Sequence, residues 1–294
     1  MNPVSVRQLT LAAGFAALAL LAGCASRTTR VTVPQTLPPA LTASREQLIE
    51  RYQQQAGAID SLSGSARMIA ETGSAFSGVI KTYHQITALF LAARPAWIRV
   101  VGQAPVVGTD IFDMVSDGKQ FHMYVPSKKQ FIVGPASGGE SSKKSIENLR
   151  PQPLFEALIW RNIAPDAPVV IEQENQTNPP SRNYVLTVLR RDGQQLEIDR
   201  RIWFNRADLR VARIETFASE GRLESDVRFG AWRQAVGAPA FPWRIVLRQP
   251  LEDYTLELDI TNVTLNPPVP PGRFTLTQPP GTTRVEVGKS GGQL

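Results

Sequence analysis

Tyr254-Thr255-Leu256-Glu257-Leu258-Asp259-Ile260-Thr261 alternates apolar and polar residues without a break. A period of two places Tyr254, Leu256, Leu258 and Ile260 on one face of an extended chain, with Thr255, Glu257, Asp259 and Thr261 on the other. That pattern marks an antiparallel strand with one buried face. The same period recurs where Phe121, Met123 and Val125 alternate with Gln120, His122 and Tyr124. Between such runs stand Thr72-Gly73, Asp117-Gly118, Asp192-Gly193 and Glu220-Gly221, whose glycines supply the left-handed conformation of tight hairpins. One meander of strands is expected near 64–71, 77–83, 86–92, 97–103, 109–115, 120–125 and 130–133. A second is expected near 169–174, 183–190, 196–204, 211–218, 222–232, 243–249 and 253–264.

Helical spacing appears in two places. Ser44 with Gln47 three residues later forms a capping box, and Leu41, Leu48, Ile49, Tyr52, Ala56 and Ile59 fall on one helical face, with Gly57 weakening the last turn. Between the meanders, residues 134–145 are rich in Gly, Ser and Lys. Ile146–Leu149 and Leu154–Trp160 then read as two short helices separated by Pro151 and Pro153. The second is apolar nearly all round and must be buried. These elements predict an α+β fold: a long antiparallel sheet of about 11–14 strands wrapped on an N-terminal helix and a short helical insertion, which makes a half-open β-barrel if the sheet does not close. Pro-rich 267–271 ends the last strand.

Leu9 to Leu21 is an apolar run after Arg7, too short to span a bilayer comfortably, and reads as a secretory signal. It ends in Leu21-Ala22-Gly23-Cys24, which resembles the lipobox of bacterial lipoproteins. The resemblance implies cleavage before Cys24, acylation of its sulfur and new amino group, and firm anchoring to one membrane leaflet. A plain signal peptide with an accidental Cys is the alternative. The chain then divides into a signal peptide at 1–23, a lipidated tether at 24–43 rich in Thr and Pro, a single domain at 44–285, and a disordered tail at 286–294.

Composition narrows the chemistry. Two His and one Cys in 294 residues leave no material for a zinc site, an iron–sulfur cluster or a disulfide framework, so no metal and no cofactor is expected. No Gly-x-Ser-x-Gly occurs, and Gly134 and Gly139 have phosphate-loop spacing but Glu140 stands where a Lys is required. His84 and His122 read as ordinary strand histidines. No catalytic residue is assigned, and the chain is not expected to be an enzyme. The net charge of +6 comes mainly from residues 182–248, where thirteen Arg outnumber eight acids. The Arg are scattered through strand-like sequence, which reads as solvated sheet faces beside anionic lipid rather than a nucleic-acid footprint.

Several short motifs resemble the LolA/LolB-type lipoprotein carriers. Ser61-Leu62-Ser63-Gly64-Ser65-Ala66 is similar to their first strand, and Arg94-Pro95-Ala96-Trp97-Ile98-Arg99-Val100 to a later strand start. Pro105-Val106-Val107-Gly108-Thr109-Asp110 resembles the Pro-Leu-Gly loop of LolB, with Val107 in place of its protruding Leu. Asp117-Gly118 with Tyr124-Val125-Pro126 matches the next hairpin. Pro271-Gly272-Arg273-Phe274-Thr275-Leu276 with Pro279-Pro280-Gly281-Thr282 resembles the closing motif. The likeness covers most of 44–285, although the chain is longer than typical carriers at 134–150 and in its tail.

The resemblance implies an outer-membrane lipoprotein, facing the periplasm, that accepts acyl chains of lipids or lipoproteins in an apolar cavity and inserts lipoproteins into the membrane. A periplasmic carrier is the implied protein partner, and nucleic acid is not. Trp97, Ile98, Phe121, Met123, Leu256 and Leu258 are expected to line the cavity, with Leu154, Phe155, Leu158, Ile159 and Trp160 as its lid. Pro105 and Gly108 place Val106 and Val107 at a hairpin tip, expected to enter the membrane. The alternatives are a structural envelope lipoprotein with a self-filled cavity, and a lipid-directed hydrolase.

Overall fold

Ser44 accepts a hydrogen bond from the Gln47 amide, and the Gln47 side chain accepts one from the Ser44 amide, so the capping box closes as its spacing predicts and starts helix α1 (Arg45–Gly57). This is seen in a computed structural model that describes residues 37–73, 80–82, 85–136, 150–177, 180–234 and 239–288. The signal peptide, Cys24, the tether up to residue 36, His84, Gly139, Glu140, the expected helix at 146–149 and the tail from 289 lie outside the described residues. After α1 come strands β1 (Ser61–Thr72), β2 (Lys81–Thr82), β3 (Ile86–Ala93), β4 (Trp97–Gln103), β5 (Asp110–Ser116), β6 (Gln120–Val125) and β7 (Gln130–Pro135). Helix α2 (Pro151–Leu158) separates these from β8 (Val169–Thr177), β9 (Pro180–Asp192), β10 (Gln195–Asn205), β11 (Arg210–Phe217), β12 (Leu223–Arg233), β13 (Phe241–Gln249), β14 (Tyr254–Leu265) and β15 (Thr283–Glu286).

All the strands form one sheet, in the order β15-β7-β6-β5-β4-β3-β1-β14-β13-β12-β11-β10-β9-β8, with β2 paired to β1. The two meanders join through the antiparallel ladder from Leu62↔Leu265 to Thr72↔Tyr254. Among the described residues every pairing is antiparallel except β15 with β7. The sheet is open: among the described residues no ladder joins its edges, β8 and β15.

One face of this sheet carries the core. Side chains from α1 (Leu48, Tyr52, Ala56) and α2 (Leu154, Phe155, Leu158) pack in a single cluster with inward residues of strands across the sheet, from Ile132 of β7 to Leu186 of β9. Leu41 lies before the helix and is exposed, and Ile59 is buried just beyond it. Helix α2 starts earlier and ends earlier than its apolar run suggests. Pro151 and Pro153 sit within its first turn, where the missing amide hydrogen leaves no bond unmade. Ile159 is already extended, so Trp160 lies outside the helix.

The last strand, β15, was not expected, and it carries the folded chain past residue 285: Glu286 is within it and Val287 is buried. The chain reaches it by a strap from 267 to 282 that crosses the outer face. Phe274 packs on Trp97 at 5.7 Å between ring centroids, and Arg99 donates to the Arg273 carbonyl at 3.0 Å. On that same outer face Val115 and Phe131 are buried. The Val287 amide donates to the Val133 carbonyl and fixes the strap's end against β7.

Gly64 is closely enclosed in the β1–β14 ladder. A Cβ there would lie 2.2 Å from the Asn262 carbonyl oxygen and 2.7 Å from the Phe90 ring. Backbone on one side and a core ring on the other leave no room, so Gly64→Ala is expected to cost about 3 kcal/mol. Gly57 has nothing within 4 Å, and Gly57→Ala in the helix is expected to gain about 0.5–1 kcal/mol. Paired denaturation curves check the contrast; equal midpoints for the two variants would contradict it.

Candidate functional site

Ala104 and Thr109 close the β4–β5 hairpin, the Ala104 amide donating to the Thr109 carbonyl at 2.8 Å and the Gly108 amide to the Ala104 carbonyl at 3.1 Å. Val106 and Val107 lie between them, 105% and 73% exposed. Val106 has φ +74°, a left-handed backbone that a β-branched side chain adopts only at a cost of about 1–3 kcal/mol. Neither its exposure nor its backbone is favourable for the isolated molecule in water. Other hairpin turns differ in chemistry: Asp117-Gly118-Lys119, Ser127-Lys128-Lys129 and Asp192-Gly193-Gln194 are polar.

The residues expected to line a cavity are brought together, but as packed core. Ile98, Phe121, Met123, Leu154, Phe155, Leu158, Ile159, Trp160, Leu256 and Leu258 belong to one buried cluster. Trp97 does not join them. It is 38% exposed on the outer face against Phe274, because adjacent residues of a strand point to opposite faces and Ile98 points inward. The inner surface assigned to cargo is therefore covered by the protein's own helices.

Trp160 is held by three rings and a guanidinium. Its ring stacks on Tyr52 at 5.6 Å and meets Phe229 at 5.0 Å and the edge of Trp232 at 6.1 Å. Its carbonyl accepts from the Arg94 guanidinium, which also bonds the Ala56 and Ile59 carbonyls at the end of α1. Beside it, buried Arg200 donates to the Tyr52 hydroxyl at 3.0 Å and the Arg161 carbonyl at 2.8 Å, and pairs with Asp199 at 2.8 Å. Burial pushes the Tyr52 hydroxyl above the usual phenol range, against the pull of Arg200. Arg200 and Arg213 correct the reading of the arginines as solvated: Arg213 clamps Asp226 with bonds of 2.6 and 2.9 Å and lies over the Trp203 ring. Of the two histidines, His122 is half-buried against Phe131.

Two clefts open beside this hub. One, of about 410 Å³, lies between α2 and the ends of β9–β12 and is polar, with Glu156, Arg161, Arg190, Asp199 and Glu224 around it. Burial, with Glu156 adding to it, pushes the Glu224 carboxyl above its ordinary range. The other, of about 330 Å³, lies between α1 and the opposite ends of β10–β13, with an aromatic floor that includes Trp160 and Trp232. Voids of about 20 and 10 Å³ also border Trp160, so its indole separates small spaces on several sides. Sequence reading missed both clefts, since their residues come from segments far apart in the chain. It also missed β15, although Arg284-Val285-Glu286-Val287 carries a short alternation.

No family model matches the sequence, and no curated protein sequence matches it. Among solved structures, the chain is similar to a LolA superfamily protein from Nitrosomonas europaea, with 16% identity over 80% of this chain and 99% of that one and a TM-score of 0.47. It is similar to a DUF1329 family protein from Desulfovibrio piger, with 13% identity over 78% and 94% of the two chains and a TM-score of 0.49. A third is a domain described as outer membrane lipoprotein-sorting from Vibrio parahaemolyticus, with 13% identity, 77% and 94% coverage and a TM-score of 0.45.

Proposed function

We propose that this chain is an envelope protein, anchored to the outer membrane through acylated Cys24 and facing the periplasm. It binds acyl chains of lipids or lipoproteins against the inner face of its sheet and passes them into the bilayer, with no covalent step. A periplasmic carrier would be its donor. The observation that carries the reading is the Val106–Val107 tip, an exposed apolar pair on a strained backbone whose side chains find an apolar environment only outside the protein. Exchange also has a workable energy scale. About twelve buried methylenes contribute roughly 10 kcal/mol, and Leu154, Phe155 and Leu158 of α2 together contribute about 5–9 kcal/mol. An acyl chain can therefore compete with α2 for the same surface, while Trp160, tied by Arg94, stays in place.

A rival reading, a structural lipoprotein whose interior is permanently self-filled, is favoured by the closed packing of that same inner face. Val107→Glu separates the two. A charge at the tip resists membrane entry but costs an exposed turn about 0.5 kcal/mol or less. The expected result is an unchanged melting temperature, retained acyl binding, and at least tenfold slower delivery of a lipoprotein to liposomes. Delivery at the wild-type rate removes the tip from the mechanism, and with it the proposal.

A further inference from the structure

We infer that the cleft between α1 and the β10–β13 ends is a binding site for a single-chain amphiphile with an anionic head group. The inference deepens the acyl-binding reading by assigning a head group, and rests on that reading for the alkyl chain. The floor is apolar, made by Trp160, Phe204, Val211 and Trp232. The rim is cationic, with Arg51 on α1 and Arg210 at the start of β11. Among the described residues, neither guanidinium has a carboxylate partner; that of Arg210 meets only the Trp232 ring, 5.9 Å from its centroid. Arg99, Arg190, Arg200 and Arg213, by contrast, are each paired with an Asp or Glu.

Among the described residues the lining contains no acidic side chain. Cationic side chains without a carboxylate partner beside an apolar floor favour an anion at that rim. A guanidinium binds a carboxylate or phosphate through two parallel hydrogen bonds, which gives the head group a defined place. A volume of about 330 Å³ is at the small end of the range for small-molecule sites and suits one alkyl chain rather than two. The polar cleft at the other end of the sheet has the opposite character, since its arginines are already paired and Glu224 faces it.

The test uses the full chain in zwitterionic nanodiscs, with empty discs as blank, and follows tryptophan fluorescence from the Trp160 and Trp232 floor. Octanoate or octyl phosphate is expected to give a saturable change, and octyltrimethylammonium none. Arg51→Gln with Arg210→Gln is expected to weaken binding of the anions at least tenfold at an unchanged melting temperature. Equal binding of the cation, an unaffected double variant, or full competition by inorganic phosphate alone overturns the inference. If octanoate and octyl phosphate both fail to bind while Val107→Glu still abolishes delivery, the cleft is refuted and the delivery reading survives. If the anions bind but Val107→Glu delivers normally, the delivery reading falls and the cleft stands.

Discussion

Ending the chain after Pro267 is expected to lower the melting temperature by about 10–20 °C and to make the protein self-associate. The truncation removes Phe274 from Trp97, the Arg273 carbonyl from Arg99, and the whole of β15 from β7. Burial of Phe274 and Val287 alone contributes roughly 3–6 kcal/mol. In a domain of this size, 1 kcal/mol corresponds to about 2–4 °C. Loss of β15 also leaves β7 as a bare edge flanked by the outer-face side chains Phe131 and Val133, and an unpaired apolar edge is a template for other chains. Ending the chain after Gly288 instead keeps every one of these contacts and is expected to melt with the full-length protein. Scanning calorimetry and size-exclusion chromatography on the two truncations check this. A shorter form that stays monomeric and melts within about 3 °C of the full chain would show that the strap contributes nothing to the fold.

Trp160→Ala is the second large effect expected, a loss of about 3–5 kcal/mol with the interior opened. The indole touches Tyr52, Phe229 and Trp232, and its removal joins the two small voids with the aromatic cleft beside α1. Collapse is hindered because the backbone here is tied at several points: Arg94 holds the residue 160 carbonyl, Arg200 the Arg161 carbonyl, and the Gln53 side chain both the amide and the carbonyl of Ile163. The enlarged space is expected to bind an apolar dye that the wild type excludes, while Trp160→Phe, which keeps a ring on Tyr52, loses less than half as much stability. Urea titrations read the stability and dye fluorescence the opening. A stable Trp160→Ala variant that excludes the dye would mean that the neighbouring rings refill the site.

Much of the sheet is legible because each strand carries its own signal. Leu256, Leu258 and Ile260 alternate with charged or hydroxyl neighbours whether or not the partner strand is known, and a glycine turn closes several of the hairpins locally. The capping box at Ser44 works the same way. What is not legible is long-range. Nothing in β1 or β14 alone specifies that each is the other's neighbour, yet that ladder unites the two meanders. β15 is four residues long after a proline-rich stretch, so its alternation is too brief to stand out. Trp97 and Ile98 were both expected inside, although the period that reveals the strand forbids it. Arg51 and Arg210 carry no spacing in common and meet one cleft only because α1 lies against β10–β13. The Val106–Val107 tip is legible in position, from Pro105 and Gly108, whereas the left-handed backbone at Val106 is not.

An open sheet has no fixed circumference. In a closed barrel, strand number and stagger set the radius, and the lumen cannot widen without breaking a ladder. Here β8 and β15 can draw apart while every interstrand hydrogen bond of the sheet stays intact, because among the described residues no ladder joins them. Dilation of the interior is then a matter of twist and coiling spread over many strands, each changing a little. What opposes such dilation is the packing of α1 and α2 against the inner face rather than the backbone ladders. A disulfide engineered to stitch the two edges together would turn this adjustable girth into a rigid one.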